Sequence, residues 1–146
     1  MTKPRILFVV NRLNIGGVEK SLLGLLNSLP AHRYEIDLGV MEASGGFLTF
    51  VPSHVRLVEL PALNRNRDIL LRRIGAFPDI VRRNPLKGMK LLVRYLYARL
   101  RGTMLPFYKS FIDEDPSMHE YDVAVAFQGP SEILDYYVSH YVRAKR

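Results

Sequence analysis

The first sixty residues alternate between short apolar runs and one stretch of helical periodicity. Residues 6–10 form a continuous apolar run, which is typical of a strand buried on both faces. Leucines at helical spacing follow, and Pro30 marks the end of that pattern. The pattern predicts, in order, a strand at 5–11, a helix at 18–29, a strand at 34–41, a short helical turn at 47–51 and a strand at 55–60.

Between residues 64 and 116 the pattern becomes helical and basic. It predicts one helix over 68–83, interrupted by Pro78, and a cleaner one over 85–101. The apolar residues of the second helix share one stripe, formed by Leu86, Met89, Leu92, Val93, Leu96 and Leu100. A strand at 121–127 and a helix reaching Tyr141 complete the prediction.

This order of elements predicts the α/β class. We expect a parallel, Rossmann-like sheet in three layers, with at least four strands joined by right-handed connections. A basic helical insert at 64–116 precedes the fourth strand, and residues 1–146 form one domain. Because the last predicted helix leads to no further strand, we expect a truncated N-terminal half of a longer protein.

Several classes of function are excluded or disfavoured by composition. The chain has no cysteine, which excludes disulfides, thiolate chemistry and cysteine-based zinc sites and fits a reducing compartment. Its four histidines are scattered without metal-binding spacing, so we expect no metal site. The acidic run 113–115 is read as a solvated loop. No apolar run approaches the roughly 18 residues of a membrane-spanning helix.

Charge is distributed unevenly along the chain. Residues 65–109 hold twelve Lys or Arg and two Asp, a net charge of +10. The whole chain carries +7, so the other 101 residues sum to −3. A basic segment on a mildly acidic domain indicates a surface for an anionic partner, such as phospholipid, nucleic acid or a phosphorylated substrate.

A pair of glycines lies between the first predicted strand and the first predicted helix, in the sequence NRLNIGGVEKS (11–21). Ligands of open parallel sheets bind beyond the carboxyl ends of the strands, and a helix N-terminus there favours phosphate. Glycine would let the backbone approach the phosphate closely. The alternative is an ordinary tight turn, because neither a G-x-G-x-x-G nor a P-loop pattern is present.

The segment RILFVVNRLNIGGVEKSLLGLLNSL resembles the opening of the family 4 glycosyltransferases, the retaining sugar transferases of the GT-B group. Gly16, Gly17, Val18 and Glu19 match the family's Gly-Gly-(small apolar)-Glu pattern. The stretches YEIDLGVM, GGFLTFVPSHVRLVEL and YDVAVAFQGPSE follow in the family's order, with a weaker likeness through the basic segment.

The resemblance implies two Rossmann-like domains facing a cleft, of which this chain matches the N-terminal, acceptor-side one. It implies sugar transfer from a nucleotide-sugar, a substrate rather than a permanently bound cofactor, to a polysaccharide or lipid-linked acceptor. The missing C-terminal domain would hold most of the donor and the paired glutamates at E-x7-E spacing. No catalytic residue is therefore assigned to this chain, and we expect it to be inactive alone.

The resemblance also assigns candidate site residues. Gly16 and Gly17 would form the loop that faces the cleft and the donor phosphates. Gln128 and Gly129 follow a predicted parallel strand and should face the same cleft, for which Asn14 and Glu19 are further candidates. Two alternatives stay open. Glu19 would stabilise the helix dipole instead of contacting ligand, and the Gln-Gly-Pro segment would be ordinary turn chemistry, with Ser131 as a helix cap.

The basic segment supports a second interpretation, a non-catalytic module that docks on an anionic membrane or on nucleic acid. Membrane contact would place the protein in the cytoplasm, peripherally at the inner face of the membrane. In the opposing interpretation the apolar stripes pack on the sheet. Nucleic acid is disfavoured, because Tyr95, Tyr97 and Tyr108 lie at helical spacing and no nucleic-acid motif is present. The candidate membrane contacts are Arg72, Arg73, Arg82, Arg83, Lys87, Lys90, Arg94 and Arg101.

Overall fold

The fold was described from a computed structural model, which defines residues 3–64, 77–109, 112, 120–128 and 131–145. Within them the elements, in chain order, are β1 (Arg5–Val10), α1 (Gly17–Ser28), β2 (Glu35–Val40), a 3₁₀ turn (Leu48–Phe50), β3 (Val55–Glu59), α2 (Pro61–Asn64), α3 (Phe77–Arg83), α4 (Pro85–Leu100), α5 (Leu105–Tyr108), β4 (Val123–Ala126) and α6 (Glu132–Tyr141).

The four strands form one parallel sheet in the order β3-β2-β1-β4. Val9 of β1 lies opposite Gly39 of β2 on one side and Ala126 of β4 on the other. The carboxyl ends of these strands therefore lie at the same edge of the sheet. The predicted α/β class with a parallel, Rossmann-like sheet is confirmed.

The core explains why the first apolar run is continuous. Phe8 and Val10 pack in a cluster with Leu22 and Leu26 of α1. Leu7 alternates to the opposite face of β1 and is also fully buried. Burial on both faces requires apolar residues at successive positions, as the sequence pattern indicates.

The chain divides into two compact units. The first comprises 1–61 and 115–146 and contains the sheet with α1 and α6. The second comprises 62–114, and its described elements are α2 from Ala62 onward and the helices α3 to α5. The predicted helix at 68–83 is described only from residue 77 onward.

The long helix α4 has well-defined ends. At its N-terminus the Asn84 side chain accepts a hydrogen bond from the Lys87 backbone N–H, and Pro85 occupies the first turn. At its C-terminus Gly102 has φ of 69°, and its N–H and that of Thr103 donate to carbonyls of the last turn. This is a Schellman motif, which favours glycine because of the positive φ.

The face of α4 that packs within the second unit is narrow and contains small residues. Gly88, Leu91 and Ala98 are buried there, and α4 contacts both α3 and α5. A Cβ at Gly88 would lie 2.9 Å from the Cα of Val81 in α3, so the two helices approach closely.

The predicted apolar stripe of α4 is not this packing face. Its six residues, Leu86, Met89, Leu92, Val93, Leu96 and Leu100, are between 45% and 88% exposed. The interpretation of this stripe as core predicts that these six side chains are buried, whereas they are exposed. Periodicity identified the apolar face correctly but could not identify which face is buried.

Two element boundaries also differ from the prediction. The sequence pattern predicts no helix directly after the strand at 55–60, but Pro61 opens the short helix α2, at a position where its missing N–H costs nothing. Tyr121 was predicted as the start of the last strand, but it forms only an isolated bridge with Ala144, and β4 begins at Val123.

Candidate functional site

The candidate site lies at the carboxyl edge of the sheet, where the loops after the strands are joined by hydrogen bonds. The Phe127 N–H donates to the Val9 carbonyl and the Met41 N–H to the Val10 carbonyl, which extends the pairing beyond the strands. The β1–α1 loop is fixed to the loop after β2, because the Leu13 N–H donates to the Ser44 carbonyl at 3.0 Å.

Gly16 and Gly17 form the junction between this loop and α1. Gly16 is the N-cap residue with an extended backbone, φ −157° and ψ 168°, and Gly17 is the first residue of the helix. Among the described glycines only Gly45 and Gly102 have positive φ, so neither member of the pair needs glycine for its conformation. A Cβ at Gly17 would meet nothing within 4 Å. The tight-turn interpretation therefore gives no reason for glycine at position 17.

The first turn of α1 has N–H groups that no side chain caps. The N-cap residue is glycine and contributes no side-chain hydrogen bond. The first N–H groups of an α-helix have no partner within the helix, so they point toward solvent or a ligand. Together with the helix dipole they make the N-terminus of α1 favourable for an anion.

Glu19 lies at the third position of α1, with its carboxylate folded against Gly16. A Cβ added to Gly16 would lie 2.5 Å from the Glu19 Oε2 atom. This placement explains the glycine at position 16 in part, although the end of a flexible side chain could move aside. A carboxylate in the first turn stabilises the helix dipole by about 0.3–1 kcal/mol, as the structural alternative for Glu19 predicts.

Gln128 lies at the same edge, at the end of β4. Its Oε1 atom accepts a hydrogen bond of 2.8 Å from the Asn11 backbone N–H, and it therefore continues the pairing of β1 with β4. Gln128 thus has a structural partner beside the glycine loop, while Gly129 lies outside the described residues. Ser131 occupies the N-cap position of α6, but its side chain makes no capping hydrogen bond.

Two other features of this edge were not identified from the sequence. The Asn11 side-chain Oδ1 atom is buried and accepts no hydrogen bond within the described part of the chain. Gly45 has φ of 116°, and a Cβ there would collide with the Leu13 carbonyl group. The sequence does show a polar residue directly after a buried strand and a second Gly-Gly pair. Neither feature indicates which loop it contacts.

Asn14 and Ile15, between these anchors, are exposed. The Ile15 side chain is 79% exposed and extends over Gly46, where a Cβ would lie 2.8 Å from its Cδ1 atom. The edge of the sheet is therefore lined by an accessible loop that carries Asn14, Ile15 and the uncapped start of α1.

A buried electrostatic cluster of the first unit lies away from this edge, around Asp37. Asp37 is buried, and Arg56 donates to both of its carboxylate oxygens, at 2.9 Å and 2.6 Å. The Tyr121 hydroxyl donates to Oδ2 at 2.7 Å, and Arg5 approaches the same oxygen at 3.5 Å. Asp37 pairs with Leu7 in the first half of both strands, whereas ligands of such sheets bind beyond the carboxyl ends. We therefore assign this cluster a structural role.

Burial and partners shift the pKa values of this cluster in opposite directions. Burial alone would raise the pKa of Asp37, but hydrogen bonds from Arg56 and Tyr121 and the nearby positive charges outweigh it and lower that pKa. Burial, with the hydrogen bond to Asp37, raises the pKa of Tyr121 to about 12. At neutral pH the pair is therefore an ionised carboxylate and a neutral phenol.

The candidate membrane contacts lie in the second unit. Arg82, Arg83, Lys87, Lys90, Arg94 and Arg101 are all exposed, while Arg72 and Arg73 lie outside the described residues. Stacking of bases on the tyrosines is not favoured, because Tyr108 is buried and the Tyr95 ring packs edge-on against Phe107 at 5.7 Å.

The described part of the chain has neither a candidate metal site nor a candidate membrane span. It contains no group of three His, Asp or Glu side chains able to hold a metal ion, and the acidic run 113–115 lies outside it. None of its helices has both the length and the apolar character that crossing a bilayer would require.

Comparisons with protein-family models, curated proteins and solved structures found no match.

Proposed function

We propose that this chain is the acceptor-side, Rossmann-like domain of a nucleotide-sugar-dependent glycosyltransferase. A second domain would hold most of the donor, and the sugar would pass to a polysaccharide or lipid-linked acceptor at the cytoplasmic face of a membrane. The observation that supports this proposal is the presence of glycine at position 17. Glycine there is required neither by backbone conformation nor by a neighbouring side chain, whereas close approach of a ligand would require it.

The mechanism of this domain is electrostatic. Backbone N–H groups of residues 16–18 would donate hydrogen bonds to the donor's phosphate oxygens and stabilise the charge that develops when the sugar leaves. Such donors are fixed by the fold before the reaction, because the loop is hydrogen-bonded to the loop after β2. Asn14, exposed in the same loop, would contact substrate.

The test compares two valine variants on the same helix. Gly17→Val and Gly24→Val each add a side chain where a Cβ would meet nothing within 4 Å, so both should stay folded. Backbone amide NMR spectra of the chain would be recorded with UDP-glucose, GDP-mannose, ADP-glucose and inorganic pyrophosphate. We expect at least one probe to shift the amides of residues 16–18, and Gly17→Val, unlike Gly24→Val, to weaken that binding at least tenfold, or about 1.4 kcal/mol.

Two results would contradict the proposal. The first is that no probe shifts these amides in the folded chain. The second is that Gly17→Val binds as tightly as Gly24→Val. A separate assay tests the catalytic part of the proposal directly. It measures transfer of labelled sugar to lipid or polysaccharide by the complete gene product, and Gly17→Val should reduce this transfer.

A further inference from the structure

The helix α4 presents three different faces. Its packing face is the narrow one of Gly88, Leu91, Tyr95 and Ala98. At about 100° per residue, the exposed apolar residues occupy an arc of roughly 140° elsewhere on the helix. We call this arc the apolar face of α4; it comprises Leu86, Met89, Leu92, Val93, Leu96, Tyr97 and Leu100, each at least 45% exposed.

A strip of positive charge borders the apolar face. Lys87, Lys90, Arg94 and Arg101 fall within about 60° of one another along one edge, and Arg99 lies at the other edge. All of them are exposed, and none forms an ion pair with a carboxylate among the described residues. The Arg101 guanidinium lies 5.2 Å from the centre of the Tyr97 ring, at the boundary between the two surfaces.

We propose that α4 lies in the surface of an anionic lipid bilayer, with its apolar face in the acyl boundary and its basic strip on the lipid phosphates. A wide apolar arc bordered by Lys and Arg is the pattern of interfacial helices. The helix has 16 residues, which is short of the roughly 20 needed to span a bilayer, so it lies in the membrane plane.

Charge complementarity favours an anionic bilayer over a protein partner or nucleic acid as the binding partner of α4. A protein partner would need carboxylates to pair with the basic strip and an apolar groove beside them, whereas an anionic membrane supplies both chemistries in one surface. Nucleic acid would explain the basic strip but not the seven exposed apolar side chains. This inference does not rest on the transferase proposal.

Vesicle flotation tests the proposal with matched pairs of variants. The chain should bind vesicles of phosphatidylcholine with phosphatidylglycerol, bind phosphatidylcholine alone far more weakly, and lose affinity in high salt. Lys90→Gln and Arg94→Gln should each lower binding about fivefold, equivalent to about 1 kcal/mol. Val93→Gln and Leu96→Gln should each lower it roughly tenfold. Lys20→Gln and Leu57→Gln, exposed residues of the first unit, serve as controls and should bind as wild type.

Fluorescence separates insertion from electrostatic adsorption. Because the chain has no tryptophan, Leu96→Trp introduces a single reporter on the apolar face, and Leu57→Trp is its control. With anionic vesicles we expect a blue shift of the emission from Leu96→Trp and none from Leu57→Trp.

Three results would overturn the proposal. The first is a folded chain that does not bind anionic vesicles, and the second is binding without a blue shift and without any effect of Val93→Gln. The third is a concentration-dependent dimer, seen by light scattering, that the same apolar substitutions abolish, because the apolar face would then be an interface between two copies of the chain.

Discussion

Replacing Tyr121 with phenylalanine tests whether the buried Asp37 cluster stabilises the first unit. The hydroxyl donates to Asp37 Oδ2 at 2.7 Å across 84 positions of the sequence, and so connects the segment before β4 to β2. Phenylalanine keeps the ring, which lies 5.1 Å from the Arg5 guanidinium, and removes only this donor.

The expected cost is about 2 kcal/mol in the free energy of unfolding at pH 7, since hydrogen bonds to charged groups contribute roughly 1.5–3 kcal/mol. The lower half of that range applies because Asp37 is not left without partners. Arg56 still donates to both carboxylate oxygens. A loss of about 3–5 kcal/mol in the free energy of unfolding is expected only when a buried charge is left without a partner.

Urea denaturation followed by circular dichroism measures this difference. Tyr34→Phe is the control, because the Tyr34 ring packs against the core of the first unit and its hydroxyl has no hydrogen-bond partner among the described residues. A double-mutant cycle with Asp37→Asn should give a coupling energy of about 1 kcal/mol. If Tyr121→Phe costs no more than Tyr34→Phe, or costs the same in the Asp37→Asn background, the cluster does not stabilise the fold as argued.

Two further predictions concern pH and the edge of the sheet. Because the pKa of Tyr121 is raised to about 12, its contribution to stability is complete below about pH 10 and is lost as pH rises toward 12. Urea midpoints of wild type and Tyr121→Phe should therefore converge over that range, and a constant difference would be inconsistent with the shift. Gln128→Ala removes the acceptor of the Asn11 N–H and should lower the free energy of unfolding by about 1 kcal/mol. Gln128→Glu keeps an acceptor and should lower the free energy of unfolding by less. Equal losses for the two variants would show that this hydrogen bond is not the cause of the destabilisation.

The parallel sheet was predictable because its signal is local. A run such as 6–10, apolar at every position, is stable only when both faces are covered, and a helix between successive strands implies a parallel crossover. The periodicity of α1 followed from the leucines that pack on β1. The position of the glycine loop at the carboxyl end of β1 followed from the same order of elements.

The environment of each face was less predictable, because periodicity does not say what covers an apolar stripe. In α4 the stripe of large apolar residues is exposed, and the buried face contains the smaller residues Gly88 and Ala98. Close approach of α3 selects glycine at position 88, and this requirement has no signature in hydrophobicity. The Asp37 cluster was likewise hidden, because its members come from four separate segments of the chain.

The Glu19 carboxylate and a donor phosphate would both be stabilised by the positive end of the α1 dipole, beside N–H groups that no side chain caps. A carboxylate in the first turn gains only about 0.3–1 kcal/mol from the helix dipole, and its side chain is a flexible arm that can rotate toward solvent. A diphosphate carries more charge and more acceptor oxygens than a carboxylate, and hydrogen bonds to ionised groups contribute roughly 1.5–3 kcal/mol each. Glu19 would then stabilise the empty loop without excluding an anion, and Gly17, with open space above its Cα, leaves the backbone accessible. The dipole interpretation of Glu19 and the phosphate interpretation of Gly17 are therefore compatible.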